Sequence, residues 1–195
     1  MELIIASNNK GKIREYKDIF EPFGFQVFSQ SEKNIDLEVE ETGTTFEENA
    51  ELKAQAVYDR THCYVLSDDS GLEVEALNNE PGIFSARYKG LETEHERRMA
   101  ILQELEGSDN RNAHFVCCIC LIEDNGTKHL FKGIWNGTIS FAEEGENGFG
   151  YDPIIYYPPF GKTMADMDKD EKNSISHRGK AVRLMEAWLE ENGNA

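Results

Sequence analysis

Asp68-Asp69-Ser70-Gly71 follows the apolar run Tyr64-Val65-Leu66, which places two adjacent carboxylates at the end of a buried strand. An acid that has lost its hydration there must hold a metal ion, take up a proton or face a base. Asp-Ser-Gly is also ordinary turn chemistry, so the tetrapeptide alone fits a turn as well as a catalytic acid. Ser7-Asn8-Asn9-Lys10-Gly11-Lys12 leads from a second apolar run, Leu3-Ile4-Ile5-Ala6, into Ile13, Tyr16, Ile19 and Phe20 at helical spacing. Backbone N–H groups and the positive dipole end at the start of that helix favour an anion, a phosphate site in outline. The glycine spacing of the Walker A loop and of the dinucleotide fingerprint is missing, so neither a standard NTPase nor a Rossmann enzyme follows. Glu40-Glu41 supplies a second acidic pair. Mg²⁺ bound to a polyphosphate needs only one or two protein carboxylates, although acids in a loop are commonly just solvated.

Gly148-Phe149-Gly150-Tyr151-Asp152-Pro153 sets two rings among glycines and beside an acid. Rings there are core or platform. Glycine lets a ligand approach the backbone, a ring stacks on a base, and a carboxylate accepts from base N–H groups. Ser174-Ile175-Ser176-His177-Arg178-Gly179 opens the last helix with His177 and Arg178 in its first turn. Cations oppose the dipole at that end, so their position calls for either an acceptor-rich ligand or a structural ion pair.

The elements that must position these groups read as an α/β chain. Gly24 to Phe28 is a second short strand. Thr44 or Thr45, with Glu47 or Glu48 three residues later, caps a helix reaching about Tyr58. Its core face holds Phe46, Ala50, Ala54 and Val57, and Lys53 falls close to that face, either meeting an anion or snorkelling to the rim. Leu72, Val74 and Ala76 alternate as a half-buried strand, and Glu94 to Glu106 carries Met99, Leu102 and Leu105 on one face. Phe115 to Ile122 and His129 to Trp135 flank Asn125-Gly126, an antiparallel hairpin signal, so the sheet is mixed. Ile154 to Tyr157 is a further strand. Ala181, Leu184, Met185, Trp188 and Leu189 make a final amphipathic helix ending near Gly193.

A chain of 195 residues suits one α/β domain, expected to span residues 1–195. Its net charge of −17 argues against nucleic acid and anionic membrane as partners. A local basic pocket can still take a phosphorylated small molecule, because screening acts over about 8 Å in physiological salt. Three of the four cysteines lie in Val116-Cys117-Cys118-Ile119-Cys120-Leu121, a buried strand in a reducing compartment rather than a disulfide framework or a zinc site. No signal peptide and no run of about 18 apolar residues is seen, and a cytoplasmic protein is expected.

Together these residues resemble the inosine/xanthosine triphosphate pyrophosphatase family, over nearly the whole chain. The motifs that carry the likeness are Ser7-x-Asn9-x-x-Lys12, Glu40-Glu41-Thr42-Gly43-x-Thr45-Phe46-x-Glu48-Asn49-Ala50 with Lys53, Asp68-Asp69-Ser70-Gly71-Leu72, Pro81-Gly82-Ile83-Phe84-Ser85-Ala86-Arg87-Tyr88, Phe149-Gly150-Tyr151-Asp152-Pro153, Glu171-Lys172 and Ser176-His177-Arg178. The resemblance implies an elongated mixed β-sheet with flanking helices, forming two lobes around a central nucleotide-binding cleft, and a homodimer. It implies Mg²⁺-dependent hydrolysis of non-canonical purine nucleoside triphosphates to the monophosphate and pyrophosphate, which cleanses the nucleotide pool. Asp69 becomes the proton acceptor and, with Glu40, the metal residue. Ser7, Asn8, Asn9, Lys10, Gly11, Lys12, Lys53 and Ser70 bind the phosphate side. Phe149, Gly150, Tyr151, Asp152, Lys172, His177 and Arg178 form the base pocket, with Tyr151 as part of the stacking platform where the family also uses Trp. The rivals are a Maf-like nucleotide pyrophosphatase, disfavoured because Asn9 and Lys12 stand where arginines are expected, and a non-catalytic nucleotide-binding module, which needs no carboxylate pair.

Overall fold

A computed structural model describes residues 1–192, the side chain of Glu15 excepted. The expected helix terminator Gly193 lies outside the described residues. Two compact units are formed, the first from Met1–Asp69, Cys118–Lys132 and the residues from Ala181, the second from Ser70–Cys117 and Gly133–Lys180.

In the first unit, β1 (Glu2–Ile5) pairs in parallel with β2 (Gln26–Ser29) on one side and with β3 (Tyr64–Val74) on the other. A strand with parallel neighbours on both edges is covered on both faces, which is why Leu3, Ile4 and Ile5 are consecutive apolar residues, all buried. Helix α1 (Lys10–Phe20) buries Tyr16 and Phe20, and α2 (Phe46–Thr61) buries Phe46, Ala50, Ala54 and Val57 as the periodicity predicts. Thr45 is the residue that caps α2, accepting from the Glu48 N–H at 3.1 Å. Strands β5 (Asn112–Ile122) and β6 (Lys128–Ile139) meet at the Asn125-Gly126 turn, closed by Gly126 N–H donating to Glu123 O at 2.9 Å. Cys117, Cys118 and Cys120 are buried in β5, and burial pushes the Cys120 thiol up to about 12, an inert packing residue.

The second unit is built on β4 (Glu80–Pro81), α3 (Glu94–Glu104), β7 (Ile155–Tyr157), β8 (Lys162–Thr163) and α4 (Lys169–Ile175). Helix α5 begins at His177 and runs to Asn192. The strands hydrogen-bond in the order β2-β1-β3-β5-β6-β7-β8, with β4 on β3. Parallel pairing of β1 and antiparallel pairing of β6 with β7 make the sheet mixed, as expected. A core of Leu72, Val74, Ile101, Leu105, Trp135 and Ile154 fills this unit.

Several boundaries differ from the sequence reading. Asp68 and Asp69 do not end their strand, since β3 continues through both and through Ser70-Gly71 to Val74, with Ala76 in a short 3₁₀ turn. Polar residues mid-strand break the apolar pattern that marks a strand, so two halves read as separate elements. Met99 is exposed and Ile101 takes the core position on α3; Leu184 on α5 is likewise exposed. Ser174 belongs to α4, a separate short helix capped by Asp168 through a capping box with Glu171, and Ser176 precedes α5, its Oγ accepting from Gly179 N–H at 3.0 Å.

Candidate active site

In the first unit the site grows from the carboxyl end of β1. Ala6 N–H donates to Leu66 O at 2.8 Å, the last rung of the parallel ladder. From there one chain turns into the Ser7–Asn9 loop while β3 continues as Ser67-Asp68-Asp69. A cavity of about 240 Å³ is lined by Ser7, Asn8, Lys12, Glu41, Lys53 and Asp68. Asn9 caps α1, its Oδ1 accepting from the N–H groups of Gly11 at 2.9 Å and Lys12 at 3.2 Å. Those two amides are thereby used internally, which leaves the Ser7, Asn8, Lys10 and Lys12 side chains as the groups the loop can offer to an anion. Asn8 Oδ1 accepts from Gln30 Nε2 at 3.3 Å, which ties the loop to the end of β2. No acid sits in the first turn of α1 to compete with an anion.

Both expected aspartates are buried and both meet lysines. Lys12 Nζ lies 2.8 Å from Asp68 Oδ2. Lys53 Nζ reaches Asp69 Oδ1 at 3.2 Å and Glu41 Oε1 at 2.7 Å. Lys53 therefore faces inward onto carboxylates. Burial pushes Asp69 above the usual carboxylate range; Lys53 pulls it back, but the Glu41 charge pushes it up again. Burial works against the Lys53 charge, yet Asp69, Glu41 and Asp68 together hold its ammonium above the ordinary range. Burial of Asp69 is the larger cause, and a single ammonium shared with Glu41 does not offset it. Glu40, the expected metal partner, is exposed next to Glu41 in the chain.

Asn49 is a functional candidate that the apolar pattern of α2 hides. It is fully buried, its Nδ2 donates to Asp69 Oδ2 at 3.3 Å and its Oδ1 accepts from Gly43 N–H at 2.9 Å. A buried amide left unpaired costs about 1–3 kcal/mol, so both ends are used. The available signal was an Asn at core spacing between Phe46 and Lys53.

Ser70 and the base-side residues belong to the second unit. Phe149 is 53% exposed, whereas Tyr151 is 5% exposed. Tyr151, expected in the stacking platform, is buried. Its ring packs edge-on to Phe115, its hydroxyl donates to Ser85 O at 2.7 Å, and burial pushes it up to about 12. In Phe149-Gly150-Tyr151 the two rings point to different environments, and Phe149 is the exposed one of the pair. Asp152 is buried; its Oδ2 accepts from Phe149 N–H at 2.8 Å and from Lys172 Nζ at 2.6 Å. Gly148 has φ +81° and a Cβ there would stand 2.3 Å from Asp152 Oδ2, so glycine is required on both counts. Lys172 Nζ and the Arg178 guanidinium lie 4.6 and 5.8 Å from the Phe149 ring centroid. His177 and Arg178 are both buried in the first turn of α5, and the His177 ring stacks at 4.0 Å on Phe115. Phe149, Asp152, Lys172 and Arg178 thus form one group.

Among the described residues no three His, Cys, Asp or Glu side chains gather as a metal cage, and no helix is long and apolar enough to cross a membrane. Asp69 and Glu41 around one ammonium are nevertheless a donor set with charge to spare. It fits an ion such as Mg²⁺, whose remaining ligands are phosphate oxygens and water.

The chain is similar to known proteins over nearly its whole length. A dITP/XTP pyrophosphatase of Staphylococcus epidermidis is 48% identical over 190 residues, covering 97% of this chain and 96% of the relative. The solved Ham1 protein of Staphylococcus aureus superposes with a TM-score of 0.93 at 47% identity, covering 98% of this chain and 99% of its own. A HAM1 protein structure from Coxiella burnetii gives 0.92 at 41% identity with the same coverage. The family model described as the Ham1 family matches residues 3–188, and the chain belongs to that family.

Proposed function

We propose that this chain hydrolyses non-canonical purine nucleoside triphosphates, the dITP and XTP class, to the monophosphate and pyrophosphate. The observation that carries the reading is the Lys53-centred cluster, in which Asp69 is a buried carboxylate whose affinity for a proton is raised. Such a group is suited to accept the proton of a water attacking the α-phosphorus; the bond from that phosphorus to the bridging oxygen breaks and pyrophosphate leaves. Asn49 and Lys53 hold Asp69 from two sides. Ser7, Asn8, Lys10, Lys12 and Ser70 bind the phosphates.

Mg²⁺ is the proposed cofactor: Asp69 and Glu40 would hold it, with Glu41, the chain neighbour of Glu40, adding charge from its place beside Asp69 on Lys53, and the ion would offset phosphate charge. Lys53 meanwhile keeps Glu41 close to the same acid. The base is read by Phe149 as stacking surface, with Asp152, Lys172, His177 and Arg178 around its edge. Hypoxanthine and xanthine present an acceptor oxygen where adenine presents an amino donor. Cationic donors pair with the first and not the second, which supports discrimination of up to about 10⁴. Clearing such nucleotides from the cytoplasmic pool, as a homodimer, is the corresponding physiological role. Pyrophosphate release from dITP, XTP, dATP and dTTP, with Mg²⁺ and with EDTA, tests this. Metal-dependent release largely confined to dITP and XTP is expected; preference for dTTP, or release of orthophosphate alone, overturns it.

A further inference from the structure

The loop carrying Phe149 is held by a helix distant in sequence. Gly150 N–H donates to Glu94 Oε2 at 2.9 Å, and Gly150 O accepts from Arg98 Nη1 at 2.6 Å. Glu94 and Arg98 stand four residues apart on α3, on one face, with their charged ends 3.8 Å apart. Arg98 is further fixed by its Nε donating to Glu143, a carboxylate that also meets His95 at 3.0 Å. Burial alone would raise Glu143, but Arg98 and His95 hold it below the ordinary range, so it stays charged. The start of α3 is itself secured by a capping box between Thr93 and Glu96.

Surface loops usually leave such backbone groups to water, and here both polar groups of one residue are gripped by charged side chains. That residue separates the exposed ring of Phe149 from the buried ring of Tyr151. We propose that Glu94 and Arg98, with Glu143 holding Arg98, are positioning residues for base selection: they fix Gly150 and so set the ring of Phe149 beside Lys172 and Arg178. The three act on the Phe149 loop through Gly150, and the assignment rests on the function proposed above.

The test uses the full chain with Glu94→Ala, Glu94→Gln and Arg98→Ala. Gln retains an oxygen acceptor for Gly150 N–H; Ala does not. In the Ala variants KM for dITP is expected to rise about tenfold and the preference for dITP over dATP to narrow comparably, with kcat changed by less than about twofold. Glu94→Gln restores both quantities towards wild type. The Gly150 amide resonance in glycine-labelled protein should shift in Glu94→Ala and return in Glu94→Gln, a readout independent of turnover. Ala variants that lose thermal stability but keep KM and preference overturn the positioning role. Wild-type protein with no dITP preference overturns the underlying function instead, even if the amide shift shows the clamp to be present.

Discussion

The two units balance charge in opposite directions. Around Asp69, the carboxylates of Asp68, Asp69 and Glu41 face the ammonium groups of Lys12 and Lys53, so acids are in excess. Around Phe149, Asp152 faces Lys172 with Arg178 close by, so cations are in excess. A net charge of −17 conceals this second region entirely. An acid-rich cluster takes up a proton or a metal ion, whereas a cation-rich one around a ring takes up an acceptor-bearing aromatic ligand. Under the proposed function the first arrangement would serve bond cleavage and the second recognition, and substitutions in the two should separate accordingly.

The largest effect is expected from Asp69→Asn, which keeps the shape and removes the proton acceptor; kcat should fall by about 10²- to 10⁴-fold while base preference is retained. Arg178→Ala should act the other way, reducing the preference for ITP over ATP by about 10- to 100-fold with a smaller change in kcat, as read from initial rates with both substrates. Gly179→Ala probes the support beneath the recognition group. A Cβ there would come 2.0 Å from the Asn173 carbonyl oxygen where α4 meets α5, and a loss of about 1–3 kcal/mol is expected in denaturant unfolding.

The smallest effect concerns an ion pair away from both groups. Ser29 N–H and Lys17 lower Glu32 from 4.5 to about 2. A carboxylate depressed on folding adds stability above its unfolded value, and that contribution disappears as pH falls from about 4.5 towards 2. Glu32→Gln should therefore cost less than about 1 kcal/mol near neutral pH, because the pair is half-exposed and screened, and nothing near pH 2. Unfolding curves at the two pH values check it.

What could be read from sequence followed periodicity. Leu3-Ile4-Ile5, the buried face of α2 and the Asn125-Gly126 hairpin were legible because apolar spacing and turn chemistry are local signals. β3 was read as two pieces, since Asp68, Asp69 and Ser70 interrupt the pattern while the backbone stays extended. The Asp69 and Phe149 groups were visible as motifs, but the divergence of Phe149 and Tyr151 was not, because a ring between glycines has no periodicity to fix its direction. The contacts of Asn49, Glu94 and Arg98 are not legible for a different reason, although Asn49 stands in one of the motifs. Their partners are 20, 56 and 52 residues away, and only the folded chain brings them together.

The most direct measurement is kcat/KM for ITP and ATP, taken side by side on wild type, Asp69→Asn and Arg178→Ala. A large fall in both values at a constant ratio for Asp69→Asn, with a collapsed ratio for Arg178→Ala, is the predicted result. A ratio that collapses in Asp69→Asn and survives in Arg178→Ala would contradict the division of cleavage and recognition between the two groups.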